Sequence, residues 1–253
     1  MARLCVFADL DGSLFQTLAR CGSAPGGGAS AGCPLPSAAG ESPPPPPPRL
    51  VPAAAGRDGR ALSFMTEGQR LLYGLMKGAG ALVPATARNL ESFRRVKLPF
   101  TDGAILDFGA VILGADGKPD LDWLSRTSAL AGDALPMLEL AHELASRTAA
   151  AEGLDVRARL VGDMGESFYM VAKSPSRDLA GLGLVGDVLA GELGGDARIW
   201  TNGNNLAVLP PFLDKGPAVV RFMERHLPWP REETLAVGLG DSLSDLGFLE
   251  ACD

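Results

Sequence analysis

The sequence predicts an α/β protein, in which a Rossmann-like parallel-sheet core is interrupted by an inserted α+β cap domain. Three observations support this prediction. Strand-like and helix-like segments alternate near both ends of the chain, which is typical of a parallel sheet with crossover helices. The middle of the chain combines helices with a hairpin signal instead. Acidic residues also follow the first and last predicted strands, where open α/β sheets bind ligands.

The first predicted strand is the apolar run at 4–8, which ends at Asp9-Leu10-Asp11-Gly12. The next stretch, 21–56, is rich in Gly, Ala, Ser and Pro and contains an unbroken proline run from Pro43 to Pro48. Such a composition cannot bury enough apolar area to offset the entropy of ordering, so 21–56 is predicted to be disordered. A surface insertion is the preferred interpretation, and a proline-recognising partner is the alternative.

The α/β pattern resumes after this insertion. A threonine start signal and an apolar stripe predict a helix over 66–80. A strand at 81–86, a short helix at 89–96 and one continuous strand at 103–113 follow. The stretch "GADGKP" then indicates a turn and a domain boundary.

The middle of the chain, 119–209, has a different pattern. Its predicted elements are a helix at about 135–148, strands at 155–162 and 167–173, a helix at about 178–193, and a hairpin around Asn202-Gly203. The α/β pattern then returns as a helix at 214–227, a strand at 234–241 and a helix at 244–252. The predicted domains are therefore a core of 1–118 and 210–253 and a cap of 119–209.

Composition limits the possible functions. The 253 residues suffice for a core and a smaller domain, and 46% hydrophobic content can supply both interiors. The net charge of −7 argues against a nucleic-acid binder, because affinity for a phosphate backbone needs clustered Lys and Arg. No apolar stretch is long enough to cross a bilayer and no signal peptide is apparent, so a cytoplasmic location without membrane partners is expected. The sequence does not indicate an oligomeric state.

Four groups of polar residues lie at or just beyond the ends of predicted core strands. They are Asp9 with Asp11, Thr86 with Arg88, Asp214 with Lys215, and Asp241 with Asp245. Strand alternation puts Asp9 and Asp11 on one side, and Asp241 ends a strand expected beside the first. Three carboxylates would then converge, and oxygen ligands without Cys or His favour Mg²⁺.

These motifs resemble the haloacid dehalogenase-like (HAD) hydrolase superfamily. The resemblance lies in "DLDGS" from Asp9, "TAR" from Thr86, Lys215, and "GDSLSD" from Gly240, which occur in the order of that family. The inserted region is similar to the large α+β cap of the Cof-type and sucrose-phosphatase-like subgroup. The resemblance also implies a further strand or two of sheet beyond the last motif.

The resemblance implies a role for each motif residue. Asp9 would be the nucleophile that forms an aspartyl-phosphate, and Asp11 would be the general acid and base. Asp9, Asp241 and the Asp11 main-chain carbonyl would bind Mg²⁺. The other implied roles are phosphate binding by Thr86 and Lys215, support of Lys215 or the metal by Asp245 and Ser244, and substrate contact by Arg88, Asn202 and Asn205. The Asn-Gly turn by itself also explains the two asparagines.

The implied function is a Mg²⁺-dependent phosphatase that acts on a small phosphorylated metabolite, such as a sugar phosphate. A phosphomutase and a catalytically silent phospho-ligand-binding protein are the alternatives. Each motif also has a purely structural interpretation, with Asp11-Gly12 as a turn, Thr86 and Asp241 as helix N-caps, and Asp214-Lys215 as a helix start. Their joint occurrence at successive strand ends favours the functional interpretation.

Overall fold

The computed structural model describes residues 3–21 and 49–253. Its strands are β1 (Arg3–Ala8), β2 (Gln16–Thr17), β3 (Leu50–Ala55), β4 (Ala61–Thr66), β5 (Gly80–Pro84), β6 (Ala104–Leu106), β7 (Val111–Leu113), β8 (Arg157–Val161), β9 (Tyr169–Lys173), β10 (Arg198–Asn202), β11 (Asn205–Leu209) and β12 (Thr234–Leu239). Its α-helices are α1 (Leu18–Cys21), α2 (Glu67–Ala79), α3 (Leu90–Phe93), α4 (Leu121–Ala151), α5 (Leu179–Leu193), α6 (Lys215–Arg225) and α7 (Leu246–Glu250). No helix within these described ranges is long and apolar enough to cross a membrane.

The predicted parallel core is confirmed. β1 lies in the middle of a parallel sheet of order β12-β1-β5, so the first and last predicted strands are neighbours. Side chains alternate across β1, as strand geometry requires. Phe7 packs with Phe222 of α6 on one face, while Val6 belongs to the cluster that contains Tyr73 and Met76 of α2 on the other. Burial on both faces explains why β1 has a continuous apolar sequence.

A second, antiparallel sheet of order β2-β4-β3 follows β1. The prediction that 21–56 is disordered is wrong at both ends, because Cys21 belongs to α1 and Leu50–Ala55 forms β3, which pairs with β4. Ala53 and Ala54 are fully buried there, so small residues that suggest low complexity in the sequence serve as core residues. The remainder of that prediction, 22–48, lies outside the described residues.

The predicted single strand at 103–113 is wrong. The structure has an antiparallel hairpin of β6 and β7, joined by a 3-10 helix at Asp107–Gly109. Asp107 and Phe108 have φ values of 50° and 54°, and Gly109 has a φ of 100°. Two consecutive non-glycine residues rarely adopt this left-handed conformation, so the sequence carries no standard turn signal. β6 still extends the parallel sheet through a bridge between Ala85 and Ile105.

Residues 121–209, here named the inserted unit, form a four-stranded antiparallel sheet of order β10-β11-β9-β8 with α4 and α5 packed on it. The predicted Asn-Gly hairpin is confirmed, since Asn202 pairs with Asn205 and Gly203 has a φ of 58°. α4 begins earlier than predicted, at Leu121, because Asp120 caps it. Pro136 therefore lies inside α4, whereas the predicted start near 135 would put it in the first turn, where proline is common.

The inserted unit lies against the carboxyl ends of the parallel strands. The Tyr169 hydroxyl of β9 donates a 2.6 Å hydrogen bond to the Ala87 carbonyl, just beyond β5. The Asp163 carboxylate, between β8 and β9, accepts a hydrogen bond from the Leu90 N–H at the start of α3. These contacts hold the unit next to the residues that follow β5.

Candidate active site

The sequence-predicted residues meet at one edge of the parallel sheet. Asp9 follows β1, and its N–H donates to the Leu239 carbonyl at the end of β12. Thr86 follows β5, and Asp241 follows β12. Because parallel strands end at the same edge, residues that lie 232 positions apart in the chain come together here.

Lys215 lies fully buried between two carboxylates. Its Nζ is 2.8 Å from Oδ1 of Asp9 and 2.6 Å from Oδ1 of Asp245. Asp214 caps α6 and so fixes the first turn that carries Lys215, which confirms the structural interpretation of Asp214. The close approach of Gly216 to Gly247 brings this turn beside α7, since a Cβ on Gly216 would lie 2.5 Å from the Gly247 carbonyl oxygen.

Burial and neighbouring charges shift the pKa values of Asp9 and Lys215. Burial raises the pKa of Asp9 to about 6, although the neighbouring Lys215 ammonium acts in the opposite direction. Burial also disfavours the Lys215 ammonium, but the Asp9 and Asp245 carboxylates outweigh burial and raise its pKa. Lys215 is therefore a fixed positive charge, and Asp9 carries a negative charge that lacks full compensation.

Asp245 organises the loop after β12. Its Oδ2 accepts hydrogen bonds from the N–H groups of Asp241 and Ser242 and from the Ser242 hydroxyl, at 2.9–3.1 Å. The Ser244 hydroxyl lies 2.8 Å from that of Ser242. With Oδ1 bound to Lys215, both Asp245 oxygens are occupied, so Asp245 acts through the residues that it holds.

The carboxylates of Asp9, Asp241 and Asp245 each place an oxygen within 4.8 Å of the others. Three negative charges face one Lys215 ammonium, and an all-oxygen donor set suits a hard divalent cation. Gly12 allows this arrangement, because it has a φ of 109° and a Cβ there would lie 1.9 Å from Oδ2 of Asp241. The residues present therefore fit a Mg²⁺ site.

The expected carboxylate trio of Asp9, Asp11 and Asp241 differs from the observed one. The Asp11 carboxylate makes a two-point ion pair with Arg88, at 2.6 Å to Nε and 2.7 Å to Nη2. Arg88 is held in turn by the Ser92 carbonyl and lies over the Phe15 ring. The sequence analysis did not predict this pair, because 77 positions separate its members and the spacing gives no signal.

The other predicted residues are Thr86, Asn202 and Asn205. Thr86 is buried, and its Oγ1 accepts a hydrogen bond from the Arg88 N–H. The alternative role of Thr86 as a helix cap is wrong, since Asn89 caps α3. Asn202 accepts a 2.8 Å hydrogen bond from Arg20, a residue that the sequence analysis did not single out. The Asn205 amide lies 3.4 Å from the Asn204 side chain.

Comparison with solved structures identifies proteins whose fold is similar to that of this chain. The C-terminal domain of trehalose-6-phosphate phosphatase from C. albicans has a similar structure, with a TM-score of 0.56, 12% sequence identity, and coverage of 99% of this chain and 74% of that one. A haloacid dehalogenase-like hydrolase from Bacteroides thetaiotaomicron matches with a TM-score of 0.49, 14% identity, and coverage of 100% and 86%. The sucrose-phosphatase of Synechocystis matches with a TM-score of 0.46, 18% identity, and coverage of 99% and 80%.

Sequence comparisons give no match of this kind. No protein-family model matches the chain, and no curated protein matches its sequence. The predicted fold class, an α/β core with an inserted α+β unit, is confirmed by the structure and by its similarity to the trehalose-6-phosphate phosphatase domain.

Proposed function

We propose that this chain is a Mg²⁺-dependent phosphatase that hydrolyses a small phosphorylated metabolite, such as a sugar phosphate. The observation that carries the proposal is the buried contact of Asp9 with Lys215, beside Asp241 at the carboxyl edge of the sheet. A carboxylate nucleophile next to a fixed cation suits attack on a phosphate ester, because the cation offsets the charge of the transferring oxygens.

Asp9 is the proposed nucleophile. One of its carboxylate oxygens bonds to phosphorus while the bond to the ester oxygen breaks, and the phosphoryl group passes to Asp9. Asp11 enters this step protonated, with one oxygen still accepting from Arg88 and the other carrying the proton, and gives that proton to the departing ester oxygen. Water then attacks the phosphoryl group, Asp11 takes back a proton from that water, and Asp9 is released together with inorganic phosphate.

The neighbouring side chains orient this reaction. Lys215 and the Thr86 hydroxyl bind the transferring oxygens, and the Arg88 ion pair holds the Asp11 carboxyl group in one position. Asp245 holds both Lys215 and the loop of Asp241, and Ser244 extends the same network. Asp9, Asp241 and the Asp11 main-chain carbonyl would hold Mg²⁺. A bound Mg²⁺ supplies positive charge that stabilises the transferring phosphoryl oxygens.

The proposed substrate size follows from the inserted unit. We divide the chain into a catalytic core of 1–118 and 210–253 and a cap of 119–209. The tip of the β10–β11 hairpin contacts Arg20, which also lies 3.9 Å from Asp241. A unit that reaches the catalytic edge restricts access to small molecules and limits the water that competes with productive binding.

Turnover of an aryl phosphate tests the proposal. Hydrolysis of p-nitrophenyl phosphate should require Mg²⁺, and Asp9→Asn should reduce kcat by at least about 1,000-fold, because the substitution removes the nucleophile. Asp133→Asn is the matched control, since Asp133 is an exposed carboxylate on α4. Retained turnover in Asp9→Asn would refute the nucleophile assignment.

A panel of sugar phosphates separates hydrolysis from the phosphomutase alternative. A phosphatase releases one inorganic phosphate for each ester consumed. Isomerised sugar phosphate without phosphate release would show transfer to a second hydroxyl. Binding without any conversion would favour a silent phospho-ligand-binding protein.

A further inference from the structure

Arg20 lies at the meeting point of three parts of the chain. It belongs to α1, and its Nη2 donates a 2.8 Å hydrogen bond to Oδ1 of Asn202 at the tip of the β10–β11 hairpin. Its Nη1 lies 3.9 Å from Oδ2 of Asp241, in the loop after β12. One guanidinium group thus contacts both the inserted unit and a proposed cation ligand.

Arg20 provides positive charge next to the Asp241 carboxylate. Lys215 donates its hydrogen bonds to Asp9 and Asp245. Within the described ranges, the ion pair that Asp241 makes is the one with Arg20. About half of the Arg20 side chain is exposed, so it is free to move away from Asp241 without leaving an unsolvated charge.

We infer that Arg20 couples cation binding at Asp241 to the position of the inserted unit. The inference rests on the proposed function in one respect, since it takes Asp241 as a cation ligand. A cation bound to Asp241 repels the Arg20 guanidinium and competes with it for the same carboxylate. The cation therefore weakens the ion pair between Arg20 and Asp241. Because Arg20 also holds Asn202, cation binding releases the hairpin tip. Linkage makes the effect reciprocal, so removal of Arg20 strengthens cation binding.

Calorimetric titration with Mg²⁺ tests the first half of the inference without any substrate. Arg20→Gln should bind Mg²⁺ about two- to fivefold more tightly than the unaltered chain, as expected from loss of a partly exposed ion pair. Arg147→Gln is the matched control, because Arg147 forms an ion pair of 3.8 Å with Glu143 on α4. Equal affinity of Arg20→Gln and Arg147→Gln would overturn the inference.

Fluorine NMR tests the second half. The chain has three tryptophans, and Trp200 lies in β10, two residues before Asn202. In protein labelled with 5-fluorotryptophan, Mg²⁺ should shift the Trp200 resonance, which Trp200→Phe identifies by its loss. Asn202→Leu, which keeps the side-chain size but removes the acceptor, should abolish that shift while Mg²⁺ still binds. An undiminished shift in Asn202→Leu would contradict the coupling.

Asp241→Asn separates failure of the inference from failure of the proposed function. If Asp241→Asn binds Mg²⁺ as well as the unaltered chain, the proposed cation site is wrong and the inference falls with it. If Asp241→Asn loses binding while Arg20→Gln is unchanged, the cation site stands and the coupling alone is refuted.

Discussion

Arg88 gives Asp11 a fixed orientation through two hydrogen bonds, at 2.6 and 2.7 Å, from a guanidinium that is itself largely buried. Two-point pairing of this kind defines both the distance and the plane of the carboxylate. In the proposed reaction both hydrogen bonds form while Asp11 is ionised, and one of them still orients the protonated Asp11 when it delivers its proton to the ester oxygen. A substrate whose leaving group needs no proton should depend on this orientation less.

Arg88→Gln should therefore lower kcat by about 10- to 100-fold for a sugar phosphate, because it releases Asp11 from its position. The loss should be smaller for p-nitrophenyl phosphate, whose leaving group departs without a proton. Steady-state kinetics with both substrates measures this difference. Arg94→Gln, an exposed neighbour at the end of α3, serves as the control. The same loss with both substrates would contradict the role assigned to Asp11.

Gly12 shows how a missing side chain can form part of a site. Its φ of 109° and its approach to Asp241 both exclude a Cβ. Gly12→Ala should push the Asp241 carboxylate away and weaken Mg²⁺ binding about tenfold, a loss typical of displaced groups around a metal. Calorimetric titration measures the affinity.

Gly59→Ala is the matched control for this substitution. Gly59 has a φ of 76°, but a Cβ there meets nothing within 4 Å. Gly59→Ala therefore introduces backbone strain, as Gly12→Ala does, but creates no contact with Asp241. Weakening of Mg²⁺ binding to the same extent in both variants would attribute the effect to backbone strain.

At the scale of elements, the start of α2 links secondary structure to the nucleophile loop. Thr66 and Gln69 form a capping box, and the Gln69 side-chain amide also donates to the Ser13 carbonyl beyond Asp11. Thr66→Ala should lower the free energy of unfolding by about 1 kcal/mol, because it leaves an N–H of the first turn without a partner. Urea denaturation measures this loss. Thr66→Ser should keep most of the stability, and equal losses in both variants would argue against the cap.

The helices and strands with clear sequence patterns are the ones that were predicted correctly. β1, α2, α5 and α6 have clear apolar patterns and defined start signals, and all four lie where the sequence predicts them. The hairpin of β6 and β7 was missed because Asp107 and Phe108 supply a left-handed turn that neither residue favours. β3 was missed because alanine gives no periodic contrast with the low-complexity stretch before it.

The candidate site likewise contains features that the sequence predicts and features that it does not. The proximity of Asp9, Lys215 and Asp241 could be predicted, because Asp9 and Asp241 follow core strands and Lys215 begins a core helix. The Asp11 pair with Arg88 and the Arg20 contact with Asn202 depend on side-chain directions in three dimensions. Such contacts between distant segments leave no spacing in a single sequence from which they could be inferred.

At the scale of the whole molecule, Asp107 lies where the parallel core meets the inserted unit. Its carboxyl group is fully buried, and neither oxygen has a hydrogen-bond donor among the described residues. Burial, followed by the neighbouring Asp163 of the inserted unit, raises the pKa of Asp107 to about 10. Burial and the nearby Asp107 also raise the pKa of Tyr169, which packs edge-on to Phe108. Asp107 is therefore protonated at neutral pH, and a shared proton lets it lie beside Asp163.

This proton makes stability depend on pH in a defined direction. The folded chain keeps the Asp107 proton up to about pH 10, whereas the unfolded chain loses it near its ordinary pKa of 3.8. Between these values the unfolded state binds fewer protons, so rising pH lowers the free energy of unfolding by up to about 1.4 kcal/mol per pH unit. Asp107→Asn keeps a donor for Asp163 but has no proton to lose, and should remove this slope. Urea denaturation at pH 5.5, 7.0 and 8.5 measures the difference, with Asp133→Asn as the control. Parallel pH dependences for Asp107→Asn and the unaltered chain would show that the two aspartates do not share a proton between core and inserted unit.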